Sequence, residues 1–79
     1  MSKVVLYTTD TCPYCFAAKK FLKSKKVVFE EIDVTGDDAT RSTLVEMSGQ
    51  MTVPQIFSDG KSIGGYEELV EYYRSGKTL

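Results

Sequence analysis

The chain has 79 residues and a formal net charge of −1. A chain this short supports one small hydrophobic core, so we expect a single domain over residues 1–79. The near-neutral charge argues against nucleic acid or an anionic membrane as a partner, because both select clustered basic surfaces. No stretch is apolar enough to cross a bilayer, and residues 1–11 lack the apolar core of a signal peptide. These features predict a cytoplasmic protein.

The predicted elements alternate strand and helix before ending in a hairpin and a helix. In chain order we expect a strand over 3–8, a helix over 14–25, a strand over 27–34, a helix from Asp37 or Asp38 to Gly49, strands over 53–57 and 61–63, and a helix over 66–73. The first strand reads as central and the second, which is acidic, as an edge strand. A right-handed crossover makes these two strands parallel.

Turn and periodicity signals define the second half of the chain. Asp59-Gly60 between two apolar runs predicts an antiparallel hairpin. The helix before the hairpin is expected to bury Leu44, Val45 and Met47.

Two cysteines, Cys12 and Cys15, follow the first strand and bracket Pro13-Tyr14. Pro13 suits the first turn of a helix, which puts Cys12 at or near the N-cap. A thiolate at that place accepts hydrogen bonds from unpaired N–H groups and is favoured by the helix dipole. We therefore predict that Cys12 is a nucleophile and that Cys15, one turn deeper, is a shielded resolving cysteine.

Two other interpretations of the cysteine pair are weaker. A zinc site needs four ligands, and the chain has no histidine and no third cysteine. A structural disulfide between Cys12 and Cys15 would close a very short loop and remove little entropy from the unfolded chain. The pattern favours redox chemistry.

A lysine cluster follows the cysteines along the first predicted helix. It comprises Lys19, Lys20, Lys23, Lys25 and Lys26. Cations near a helix C-terminus are favoured by the dipole, so we interpret this cluster as a solvated, stabilising face rather than a binding surface.

Three motifs in this order make the chain resemble a glutaredoxin of the small dithiol class. They are Cys-Pro-Tyr-Cys at 12–15, Thr-Val-Pro-Gln-Ile-Phe at 52–57 and Gly-Gly-Tyr-Glu at 64–67. The resemblance implies an α/β, thioredoxin-like (glutaredoxin) fold of order βαβαββα, with a four-stranded mixed sheet flanked by helices. It also implies a cis peptide bond between Val53 and Pro54.

The resemblance further implies a glutathione-dependent thiol–disulfide oxidoreductase. Such an enzyme reduces protein–glutathione mixed disulfides and protein disulfides through Cys12 and Cys15, with glutathione as electron donor and no permanently bound cofactor or metal. Its partners would be glutathione and glutathionylated or disulfide-containing proteins, and it would act as a monomer. The expected glutathione groove consists of Tyr14, Thr52, Val53, Pro54, Gly65, Tyr66 and Glu67.

Two positions depart from the family pattern. Thr9 and Gln50 stand where family members often carry basic residues.

Other functions are also compatible with a redox-active cysteine pair. The alternatives are a redoxin fed by thioredoxin reductase that donates electrons to ribonucleotide reductase, an iron–sulfur cluster carrier, and a non-enzymatic binding module. The Gly-Gly-Tyr-Glu motif favours glutathione as the reductant over thioredoxin reductase. Pro13-Tyr14 disfavours an iron–sulfur cluster carrier, and the intact cysteine pair argues against a non-enzymatic binding module.

Overall fold

The computed structural model describes residues 3–50 and 52–79, and the elements in these ranges follow the predicted order. Met1, Ser2 and Met51 lie outside the described residues. The elements are β1 (Val4–Thr8), α1 (Pro13–Ser24), β2 (Phe29–Asp33), α2 (Asp38–Ser48), β3 (Gln55–Ser58), β4 (Lys61–Gly64) and α3 (Tyr66–Arg74). No helix in these ranges is long and apolar enough to cross a bilayer.

The four strands form one mixed sheet in the order β2-β1-β3-β4. β1 pairs in parallel with β2, with Val4 opposite Phe29, and antiparallel with β3, with Tyr7 opposite Gln55. The predictions of a central first strand and an edge second strand are confirmed. This topology brings the C-terminal end of β1 next to the start of β3.

The hairpin between β3 and β4 forms where Asp59-Gly60 predicted it. Asp59 and Gly60 have φ values of 51° and 83°, and two consecutive positive values match the twist of antiparallel strands. β3 begins at Gln55 rather than at the predicted residue 53. The reason is that the imide nitrogen of Pro54 carries no hydrogen for the sheet ladder.

The sheet carries a hydrophobic cluster on each face. The larger cluster joins the sheet to α1 and α3 through Val4, Leu6, Ala18, Leu22, Ile56 and Leu69. The smaller cluster joins it to α2 through Val34, Leu44 and Phe57. Successive strand residues point to opposite faces, which is why Ile56 and Phe57 belong to different clusters.

The prediction that Met47 is buried in the core is wrong. Its side chain is 51 % exposed, whereas Leu44 is buried. The face of α2 that meets the sheet follows the i, i+4 row through Leu44 and Ser48, and Met47 projects beside that row. The ends of α2 agree with the prediction: Asp37 is the N-cap, and Gly49 closes the helix with φ 74°.

Candidate active site

The helix α1 begins at the cysteine pair, with Cys12 as its N-cap and Pro13 in its first turn. The Cys15 backbone N–H donates a hydrogen bond to Cys12 Sγ over 3.0 Å. Both cysteines are free thiols, Cys12 partly exposed and Cys15 buried. The predicted placement of the two thiols is therefore confirmed: Cys12 is accessible at the helix start, and Cys15 lies behind it.

Burial raises the pKa of the Cys15 thiol from its ordinary 9.0 to about 12, and the hydrogen bond with the Cys12 side chain adds to this. A backbone hydrogen bond from Thr9 and the charge of Lys19 act in the opposite direction. Cys15 therefore stays protonated at neutral pH. Cys12 is the thiol that can react first, because it is the accessible one.

The backbone of Val53 comes next to Cys12 from the start of β3. The Cys12 thiol donates to the Val53 carbonyl oxygen at a distance of 3.5 Å. The Val53-Pro54 peptide bond is cis, as the resemblance predicted. Residues 41 positions apart in the chain thus form one wall of the site.

A cavity of about 330 Å³ opens beside this wall. It is lined by Tyr14, Thr52, Val53, Pro54, Gly65, Tyr66, Glu67 and Glu68. The first seven are the residues predicted to form the glutathione groove, and the fold brings all of them together. The rings of Tyr14 and Tyr66, with centroids 6.1 Å apart, form an aromatic side to the cavity.

Glu68 is a cavity residue that the sequence analysis missed. Its Oε1 accepts a hydrogen bond from the Gly65 N–H at 2.9 Å, which is the half of a capping box that a glycine N-cap, having no side chain, can form at the start of α3. A Cβ atom on Gly64, whose φ is +110°, would lie 2.8 Å from the Glu68 side chain. The signal was present, since a glutamate three residues after a helix-opening glycine is a capping-box spacing.

The hydrogen bond between Gly65 and Glu68 leaves other backbone N–H groups at the start of α3 without a partner inside the helix. The Gly65 N–H already donates its hydrogen bond to Glu68. The N–H groups of Tyr66 and Glu67 belong to the first turn, where a helix offers no internal acceptor. They can bind an anion, although the carboxylates of Glu67 and Glu68 in the same turn repel one.

Gln55, a second residue missed from the sequence, is fully buried behind the cavity. Its Nε2 donates to the Thr52 carbonyl at 2.8 Å, to Thr52 Oγ1 at 3.3 Å and to Gln50 Oε1 at 3.0 Å. Its buried Oε1 has no hydrogen-bond partner among residues 3–50 and 52–79. Because the amide nitrogen holds Thr52, Gln55 fixes the segment that leads into the cavity wall.

The lysine cluster of α1 is only partly the solvated face that was expected. Lys19 Nζ lies 3.0 Å from Glu31 Oε2, and the Thr8 hydroxyl donates to the same oxygen at 2.8 Å. The Thr8 hydrogen bond, followed by Lys19, lowers the pKa of Glu31. Lys25 lies over the Phe21 ring, 5.5 Å from its centroid. Two lysines therefore have local structural partners.

Comparisons with known proteins agree on one family. The glutaredoxin family model matches residues 4–63. Glutaredoxin 3 of Escherichia coli (strain K12) is 48% identical over 69 residues, which cover 87% of this chain and 83% of the relative. A glutaredoxin of Pseudomonas aeruginosa is 43% identical over 77 residues, covering 98% and 92%.

Solved structures give the same answer for the fold. The buckwheat glutaredoxin–glutathione complex superposes with a TM-score of 0.90 at 32% identity, covering 96% of this chain and 72% of the other. Glutaredoxin 1 from Francisella tularensis, complexed with cacodylate, gives a TM-score of 0.78 at 34% identity and covers 95% of both chains. With its accessible Cys12 thiol, its buried Cys15 thiol and these relatives, the chain belongs to the glutaredoxin family of thiol–disulfide oxidoreductases, within the thioredoxin-like superfamily.

Proposed function

We propose that this glutaredoxin uses glutathione to reduce protein–glutathione mixed disulfides and protein disulfides. The observation that carries the proposal is the position of Cys12. Its thiol lies 3.5 Å from the Val53 carbonyl oxygen, and Val53 lines the cavity that the two tyrosines and the start of α3 complete. A tripeptide disulfide lying in this cavity would present its sulfur to Cys12.

Glutathione carries the groups that such a cavity can recognise. Its peptide backbone can pair with that of Val53, as an added strand pairs with a sheet edge. Its γ-glutamyl carboxylate binds the first-turn N–H groups of Tyr66 and Glu67. The Glu67 carboxylate pairs with the γ-glutamyl ammonium group. Tyr14 and Tyr66 pack against the apolar parts of the tripeptide.

The first reaction needs only Cys12. Its thiolate attacks the glutathione sulfur of the mixed disulfide, forming a Cys12–glutathione bond while the protein–glutathione bond breaks. The released protein thiolate takes up a proton. A second glutathione thiolate then attacks the bound glutathione sulfur, giving glutathione disulfide and regenerating Cys12. One free glutathione is consumed for each protein thiol gained, because the other half of the glutathione disulfide comes from the mixed disulfide itself.

The second reaction needs both cysteines. Cys12 attacks a protein disulfide and forms a mixed disulfide with one of its sulfurs, and the other sulfur leaves as a thiol. Cys15 then loses its proton and attacks Cys12, which releases the second protein thiol and leaves a Cys12–Cys15 disulfide. Two glutathione molecules reduce that disulfide and leave as glutathione disulfide.

The buckwheat relative, known as a glutathione complex, supports glutathione as the small thiol. The deciding experiment follows turnover of a glutathionylated protein with two regenerating systems in parallel. We expect steady turnover with glutathione and glutathione reductase, and little with thioredoxin reductase alone. Turnover that depends on thioredoxin reductase and ignores glutathione would overturn the proposal.

A further inference from the structure

An exposed phenylalanine lies on α1 one turn after the nucleophile. Phe16 is 66 % exposed, and its backbone N–H donates to the Cys12 carbonyl at 3.3 Å. A cavity of about 310 Å³ is lined by Phe16, Lys19, Lys20 and Lys23. The spacing of Phe16, Lys20 and Lys23 keeps them on one side of the helix, running away from Cys12.

This side of α1 is not the side that faces the groove. Tyr14 and Phe21 lie on the flank of α1 towards α3, where both rings approach Tyr66, with centroids 6.1 and 6.5 Å away. Lys19 marks the other flank, because it reaches Glu31 on β2. Cys12 therefore lies at the N-terminal end of α1. The candidate glutathione groove is on one flank of the helix, and Phe16 with its lysines is on the other.

Two positive charges on the Phe16 flank have no ionic partner within the part of the chain that the structure describes. Lys19 is paired with Glu31, and Lys25 packs over the Phe21 ring. Lys20 and Lys23 are exposed, and neither forms a salt bridge with any residue in 3–50 or 52–79. The flank thus presents an apolar ring beside two uncompensated cations, although the chain as a whole carries a net charge of −1.

We propose that Phe16, Lys20 and Lys23, here named the basic flank, dock the protein part of the substrate. The occupant is a polypeptide segment with an apolar residue next to its glutathionylated cysteine and acidic residues further along. This inference rests on the proposed function: when glutathione fills the groove on the Tyr14 side, the polypeptide attached through the other sulfur leaves towards the open flank. The inference specifies which class of glutathionylated protein should be reduced fastest.

Helix dimensions set the spacing of the preferred acidic groups. With a rise of about 1.5 Å per residue, Lys20 lies roughly 6 Å and Lys23 roughly 10 Å beyond Phe16 along α1. An extended peptide advances about 3.3 Å per residue. Acidic side chains two and three residues after the apolar residue therefore come opposite the two lysines.

The test compares two glutathionylated peptides that differ only at those two positions, which are Glu in one and Lys in the other. We expect kcat/KM to be about three- to tenfold higher for the acidic peptide at low salt, since each exposed pair contributes modestly. The preference should shrink as salt is raised. The double variant Lys20→Glu/Lys23→Glu should reverse the preference, and Lys20→Gln/Lys23→Gln should abolish it.

A matched control makes the same charge change elsewhere. Lys61 starts β4 at the end of the sheet away from Cys12, and Lys77 follows α3. Lys61→Glu/Lys77→Glu should keep the wild-type preference. Phe16→Ser should slow both peptides, whereas Val28→Ser, at a position 90 % exposed outside the flank, should slow neither. Thermal unfolding of each variant verifies that it is folded.

A small mixed disulfide of glutathione and 2-mercaptoethanol separates the two proposals. It has no polypeptide to reach α1, so all these variants should reduce it at the wild-type rate. If the wild-type protein fails to reduce it, the proposed function is wrong. If it is reduced but the wild type does not distinguish the peptides, or the control double variant shifts the preference as strongly as the Lys20/Lys23 variant, the docking inference is wrong.

Discussion

The backbone N–H of Cys15 donates a hydrogen bond to the sulfur of Cys12 over 3.0 Å, so the two cysteines interact before any disulfide forms. The same sulfur lies 3.5 Å from the Val53 carbonyl oxygen, to which only a protonated thiol can donate. A Cys12 thiolate keeps the first hydrogen bond, which strengthens with the negative charge, and loses the second. The Val53 backbone is then free to interact with a substrate.

The different environments of the two thiols predict different effects of serine substitution. Cys12→Ser should abolish reduction of both glutathione mixed disulfides and protein disulfides. Cys15→Ser should abolish protein-disulfide reduction and leave deglutathionylation largely intact, because Cys15 is buried and, in the proposed mechanism, acts only in resolution. Parallel assays with the two substrate types measure this. Equal loss of deglutathionylation in both variants would reverse or remove the assigned roles.

The raised pKa of Cys15 predicts a steep pH dependence of the resolving step. A thiol attacks a disulfide as its thiolate, and burial holds the pKa of Cys15 at about 12. Well below that value the thiolate fraction rises about tenfold for each pH unit, and the rate of Cys12–Cys15 disulfide formation should rise with it. Burial, the larger cause of the shift, does not depend on the Cys12 proton, so the trend persists in the mixed disulfide.

Rapid mixing of the reduced protein with a disulfide substrate, followed by acid quenching at intervals, measures this step. The Cys15→Ser variant provides the baseline without resolution. A resolving rate that levels off above about pH 9 would show that Cys15 ionises near the ordinary range of a thiol.

Local sequence signals predicted those parts of the fold that short segments determine. Pro13 after Cys12 marked the helix start, and Asp59-Gly60 marked the hairpin, because both depend on backbone preferences of two or three residues. The seven groove residues came from motifs, and the fold gathers all seven around one cavity.

Residues whose roles depend on distant neighbours could not be predicted in the same way. Gln55 interrupts an apolar strand with a polar side chain, and only its hydrogen bond to Thr52 in the folded chain shows what it does. Helical spacing predicted Met47 as a core residue, but a different row of α2 packs against the sheet and Met47 is exposed. The exposure of Phe16 follows from packing of the opposite side of α1, which helix periodicity alone does not determine.

Gln55→Leu should loosen the segment that carries Thr52. The change removes the donor of a partly buried hydrogen bond to the Thr52 carbonyl, a loss that typically costs about 0.5–1.5 kcal/mol, and the removal of the unpaired Oε1 offsets part of it. We expect a lower urea midpoint and a higher KM for glutathione, with a smaller change in kcat. Gln50→Leu is the matched control, since it removes only the outer contact at 3.0 Å. A loss of stability without any change in KM would limit Gln55 to a structural role.

The last prediction concerns the carboxylate that caps the start of α3. Glu68 accepts from the Gly65 N–H and lines the cavity, so its charge lies close to the N–H groups that are proposed to bind the γ-glutamyl carboxylate. The side-chain oxygen of a glutamine at this helix position can accept the same hydrogen bond from the Gly65 N–H. Glu68→Gln should therefore keep the helix start intact while removing a negative charge that repels the ligand.

We expect Glu68→Gln to lower the KM for glutathione about two- to fivefold at low salt, the range of an exposed charge near a helix terminus. The gain should fade as salt screens the charges. Glu71→Gln is the matched control: Glu71 lies one turn further along α3 and pairs with Arg74 at 3.6 Å. Glu68→Ala loses both the charge and the cap, so it should unfold at a lower temperature than Glu68→Gln. If Glu71→Gln tightens glutathione binding as much as Glu68→Gln, the effect reflects overall charge, and the γ-glutamyl carboxylate does not lie at the start of α3.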